Sequence, residues 1–239
     1  MTARSRHRSR STRSPGPSGS DGHGRAGPPP QAAPDRLRPF PGAPVNPTGR
    51  IVRAIVSLRS GDRLGLDVVP HVFATTWAAL NGIEALIDQV APDVCLHLGL
   101  AGRAREIRVE TSAKNFAAPY FADAEGRSPA VGAIDGEGPP RRPATLPIDT
   151  IRDRIAALGL PTRLSTDAGR YLCNATLYRS AAHCAKRGIP AGFLHLPNTR
   201  DGRAPRPLRP DRAPQPVFTH ADLTRAVEAT LGVIAARLG

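Results

Sequence analysis

Cys173 is the one cysteine of three in this 239-residue chain whose setting favours a reactive thiol. It follows Asp167-Ala168-Gly169, a turn after a short β-type segment, and falls in the first turn of a helix predicted over residues 170–187. Unpaired N–H groups and the helix dipole at that position favour thiolate, the nucleophilic form. The competing reading is packing, because cysteine is a small hydrophobe and Leu177, Ala181 and Cys184 lie on its side of the helix. Cys95, inside a predicted strand, and Cys184, late in the helix, lack this electrostatic help and read as core. A thiol nucleophile needs a base. His183 is ten residues along the same helix, roughly 15 Å away by helical rise, and cannot serve. His195, in Phe193-Leu194-His195-Leu196-Pro197, ends the next predicted strand, and His97, just before Gly99, is its competitor. Glu110 closes a strand that begins at Ile107 and is the carboxylate placed to orient an imidazole. Glu106, Glu125 and Glu137 fall in loops.

The elements that must bring these groups together alternate between strand and helix. Asn46-Pro47-Thr48 reads as a helix entrance, a capping side chain followed by Pro where no N–H is needed. Residues 64–69 read as a strand ending at Pro70. An apolar stripe predicts one helix over 73–90, stopped by Pro92. Val94-Cys95-Leu96-His97-Leu98 is an apolar run leading into Gly99, as in a strand buried on both faces. Residues 115–143 are polar and rich in Pro and Gly. Helices follow at 148–158, 170–187 and 219–238, with strands at 164–166 and 192–196. The alternation predicts a single-domain α/β fold, a three-layer α/β/α sandwich around a mostly parallel sheet. Ligands bind such sheets at the carboxyl ends of strands, which puts Glu110, Cys173 and His195 at one edge.

Charge and composition narrow the classes. The balance is +13, and residues 1–38 hold eight arginines against two aspartates, among Ser, Gly and Pro. Residues 1–36 are therefore predicted to be a disordered tail, since so few apolar groups cannot offset chain entropy. No aromatic side chain is interleaved there for base stacking, which argues against a nucleic-acid arm. No window approaches the roughly eighteen apolar residues of a membrane span. Cysteines without a C-x-x-C pair exclude a disulfide framework and a thiolate zinc cluster. A cytoplasmic protein without metal or organic cofactor is expected.

Four segments, in order, resemble the pyroglutamyl peptidase I family of cysteine peptidases. Asp167-Ala168-Gly169-Arg170-Tyr171-Leu172-Cys173-Asn174 is similar to the family's nucleophile motif, which ends in Tyr-x-Cys-Asn. Gly192-Phe193-Leu194-His195-Leu196-Pro197 is similar to the segment carrying the catalytic histidine. Gly99-Leu100-Ala101-Gly102-Arg103 through Ile107-Arg108-Val109-Glu110 puts Glu110 in the place of the triad acid, and Asn46-Pro47-Thr48 matches as well. The resemblance covers residues 37–198. It implies a Cys173, His195, Glu110 triad, peptide substrates with a blocked N-terminus, and substrate-binding positions at Leu37, Phe40, Leu100 and Tyr120. It leaves self-association open. The chain also departs from the family. The proline-rich residues 27–35 cannot make the expected first strand. Leu37 replaces a pocket phenylalanine, Tyr120 stands for an active-site arginine, and Thr111 for the arginine after the acid. A divergent or inactive relative, or a scaffold with a nucleic-acid-binding arm, is the alternative.

Overall fold

Asn46 starts the first helix as the sequence predicts. Its side-chain oxygen accepts the Thr48 N–H at 3.0 Å, and Pro47 opens the helix. The structure, a computed structural model, describes residues 1–5, 46–118, 120–200 and 218–239. In chain order the elements are β1 (Thr2–Ser5), α1 (Pro47–Ser57), α2 (Ser60–Arg63), β2 (Leu66–Val69), α3 (Ile83–Val90), β3 (Val94–Leu100), β4 (Ile107–Glu110), β5 (Ser112–Lys114), β6 (Arg141–Pro143), α4 (Ile148–Ala156), β7 (Thr162–Ser165), α5 (Leu172–Ala185), β8 (Ala191–Leu196) and α6 (His220–Leu238).

Among the described residues six strands form one sheet in the order β2-β1-β3-β8-β4-β7, and β5 pairs with β6. The sheet is mixed. β3/β8 and β4/β7 are parallel ladders, whereas β1/β2, β1/β3 and β4/β8 are antiparallel. The direction of β4 follows from its connection. Only residues 101–106 separate it from β3, too few for the helical crossover that a parallel return requires.

Strand alternation sorts the side chains into two faces. One face carries Leu96, Leu194, Leu196, Ile107 and Val109, packed with Ile51 and Ile55 of α1, Ile151 and Ile155 of α4, and Leu223, Val227 and Leu231 of α6. The other carries Cys95, Ala191 and Phe193 beneath α3 and α5. Helices on both faces give the α/β/α layering.

Three expectations are corrected. The first residues of the predicted tail are a strand: β1 lies between β2 and β3, with Met1 and Ala3 buried. Two flanking strands supply backbone partners that four residues of any composition can use, so low apolar content does not exclude pairing there. Residues 6–36 of that expectation lie outside the described residues. The helix predicted over 73–90 begins only at Ile83, after a 3₁₀ turn at Ala78–Gly82. Thr76 Oγ1 takes the Ala79 N–H at 3.2 Å and Asp123 takes that of Trp77 at 2.9 Å, replacing helical carbonyl partners. Residues 115–143, read as loop, end in β6, which pairs back on β5. Among the described residues no helix is long and apolar enough to cross a membrane, and no group of His, Cys, Asp and Glu could hold a metal ion.

Candidate active site

Cys173 occupies the first turn of α5, where the sequence puts it. The approach is a tight turn: Gly169 adopts φ +86°, a left-handed conformation that favours glycine, and its N–H donates to Asp167 Oδ1 at 3.0 Å. Tyr171 is the N-cap in extended backbone and makes no side-chain cap hydrogen bond. The cap residue therefore leaves the first-turn N–H groups of α5 beside the sulfur without a side-chain partner of its own. Cys173 is half-buried, whereas Cys95 and Cys184 are fully enclosed. Those two thiols hydrogen-bond to each other. That bond, followed by burial, holds the Cys95 thiol far above its ordinary range, and the same bond draws Cys184 down.

His195 lies on the face beneath α5, 6% exposed, and Glu110 is wholly enclosed. The His195 Nδ1–H donates to Glu110 Oε1 at 2.8 Å. The Cys173 sulfur is the other group that favours the charged ring, and with Nδ1 committed to Glu110, Nε2 is the nitrogen left for it. Burial alone would lower the imidazole pKa. The Cys173 sulfur and then Glu110 outweigh it and raise the value to about 9. Phe193 covers the ring, with centroids 4.7 Å apart. Glu110 Oε2 is buried without a hydrogen-bond partner among the described residues.

The three groups meet by a route the sequence argument does not contain. Alternation predicts a shared carboxyl edge of parallel strands. Instead β4 runs antiparallel to β8, Glu110 stands opposite Phe193, and its carboxylate reaches diagonally to His195. The site is on a face of the sheet, roofed by the start of α5. His97, the competing base, shares that face and pairs in register with Phe193. Burial, and then the Met1 ammonium, lower its pKa to about 3, and its Nε2 is buried without a partner among the described residues. His183 belongs elsewhere, on Asp88 at 2.8 Å.

The substrate-binding positions divide. Leu37 and Phe40 lie outside the described residues. Leu100 registers with Leu196, so by alternation its side chain leaves on the face opposite Gly99 and Cys173. Tyr120 is 73% exposed, in a segment whose Ala118 N–H donates to Arg170 O at 3.0 Å. The sequence argument passes over the part played by Gly99. A Cβ there would lie 2.5 Å from Phe193 Cζ and 2.9 Å from Cys173 Sγ. The signal is present, since glycine closing an apolar strand marks close approach of other atoms.

A model of the pyroglutamyl peptidase family matches residues 36–234. The chain is 34% identical over 164 residues to the pyrrolidone-carboxylate peptidase of Pyrococcus furiosus, covering 67% of this chain and 77% of the relative. It is 33% identical over 196 residues to pyrrolidone-carboxylate peptidase 1 of Ralstonia nicotianae, covering 81% and 89%. In three dimensions it is similar to the pyrrolidone carboxyl peptidase of Thermococcus litoralis, with a TM-score of 0.72 and 25% identity over 84% of this chain and 90% of that one.

Proposed function

The chain belongs to the pyroglutamyl peptidase family, and on that premise we propose that it is a cysteine peptidase that removes an N-terminal pyroglutamyl residue from peptides, with Cys173 as nucleophile, His195 as acid and base, and Glu110 as the orienting carboxylate. The observation that carries this reading is the His195 ring bonded to Glu110 Oε1 at 2.8 Å, in register with Gly99, over which the Cys173 sulfur lies.

The Cys173 thiolate attacks the carbonyl carbon of the bond joining the pyroglutamyl group to the next residue. The backbone N–H of Cys173 stabilises the oxyanion that forms. The His195 imidazolium protonates the departing amine as the C–N bond breaks, leaving a thioester on Cys173. Neutral His195 then takes a proton from water, which attacks the thioester and frees pyroglutamate and the thiol. Glu110 keeps Nδ1 protonated and Nε2 directed at the sulfur throughout. None of these steps calls for a metal or organic cofactor. A reactive thiol and two enclosed free cysteines suit a reducing compartment such as the cytoplasm.

The test is release of a fluorophore from a pyroglutamyl amide. The wild-type protein is expected to turn it over, and Cys173→Ala to lower kcat/KM by at least about 10³-fold. Normal turnover by Cys173→Ala overturns the assignment of the nucleophile. A wild-type protein without activity on pyroglutamyl or other acyl amides is instead an inactive relative.

A further inference from the structure

Asn174, the residue after Cys173, is fully buried, and its side chain makes hydrogen bonds only to backbone. Its Oδ1 accepts the Lys114 N–H at 2.8 Å, and its Nδ2 donates to Lys114 O at 2.9 Å and to Phe116 O at 3.0 Å. These partners lie on one strap: Glu110 ends β4, Thr111 follows, and β5 then runs to Lys114. The residue bonded to the nucleophile's neighbour is thus four positions beyond the carboxylate that holds His195. On the near side of Cys173 the strap is tied again, by Ala118 N–H to Arg170 O at 3.0 Å. The Lys114–Asp167 ion pair, at 3.0 Å, also joins strap to turn, but Asp167 is 61% exposed and the pair is screened by solvent. The carboxamide, itself fully buried, is the stiffer link, because removing it takes the side-chain partner from three backbone groups.

We propose that Asn174 is a positioning residue: its carboxamide fixes the spacing between Cys173 and the Glu110–His195 pair by locking the first turn of α5 to the strap that continues from Glu110. The proposal rests on the reading of Cys173 as nucleophile. Asn174 acts through the sulfur and not on substrate. Without the carboxamide the turn shifts relative to β4, the thiol moves off the imidazole, and thiolate forms less readily. Chemistry slows while acyl binding changes little.

Two variants test this. Asn174→Ala removes the side chain, and Asn174→Leu fills the same volume without hydrogen bonds. Both are expected to lower kcat by about 10- to 100-fold with KM within about twofold. Both are also expected to slow Cys173 alkylation by iodoacetamide across the pH profile, measured well below the melting temperature. Alkylation profiles that superimpose on wild type overturn the proposal, even if the melting temperature drops, because Asn174 then serves stability alone. Failure of both variants to fold overturns it in the same way. Alkylation needs no peptide substrate, so a wild-type protein inactive on pyroglutamyl amides defeats the proposed function without deciding this inference.

Discussion

Leu194 and His195 are neighbours in β8, yet they enter different chemistries. Leu194 joins an aliphatic layer with Leu96, Val109, Ile151 and Leu231, where apolar burial is worth about 1.5–3 kcal/mol per large side chain. His195 turns to the other face, where the same two neighbouring strands present Gly99 and Glu110. Burying an imidazole and a carboxylate there opposes folding unless each finds a partner. The 2.8 Å bond between them supplies that partner, and the Cys173 sulfur further favours the charged ring. One sheet thus keeps the His195–Glu110 pair to one face, beside apolar packing under α3 and α5, and an aliphatic layer to the other. Substitutions on the two faces are expected to fail differently.

The largest effect is expected on the polar face. Glu110→Gln should lower kcat/KM by about 10²- to 10⁴-fold, since it removes the charge that orients and stabilises the imidazolium. The pH dependence sharpens the point. The folded-state pKa of His195 is raised, from an ordinary 6.5 to about 9. Its stabilising contribution is therefore complete below about 6.5 and is lost as pH rises through about 9. Wild-type kcat/KM should fall over that same alkaline range. Glu110→Gln should move this limb to lower pH, and a pH–rate profile with an unmoved limb would contradict the assigned coupling.

Leu194→Ala, one residue away, tests the aliphatic face. It should destabilise by about 2–5 kcal/mol in urea unfolding, the usual result of a cavity in an enclosed core. Turnover per folded molecule should stay within about twofold. A large loss of kcat without loss of stability would break the separation between faces.

Gly99→Ala gives the smallest effect and probes both functions at once. Its Cβ would press on Phe193 and on the Cys173 sulfur, so about 1–3 kcal/mol of overpacking strain is expected. With it should come a fall of roughly tenfold in kcat/KM, as the sulfur leaves its place. An alanine variant with unchanged kinetics would show that the sulfur has room to spare.

The residues that specify local structure act through near neighbours, and those parts of the fold are legible in the chain. Asn46 with Pro47 sets the start of α1, the apolar run from Val94 sets β3, and the turn closed by Gly169 delivers Cys173 to the first turn of α5. The chemistry of Cys173, His195 and Glu110 can be nominated in the same way, because helix starts and strand ends have fixed electrostatics. The helix predicted over 73–90 fails where a distant side chain, Asp123, claims the Trp77 N–H. β1 escapes prediction because its partners are strands some 60 to 95 residues away, not its own side chains.

The sequence by itself determined which groups could react and which residues turn toward the same side of each strand, since both depend on residue type and on the two-residue period of a strand. Only the tertiary structure decided how those groups meet. The short link after β3 sends β4 antiparallel to β8, and that direction, with Arg108 in register with His195, sets Glu110 diagonal to His195. Asn174 then ties the sulfur's turn to the strap leaving Glu110. Strand direction and strap placement are relations between segments far apart in the chain, fixed by which backbone groups find one another when the layers close.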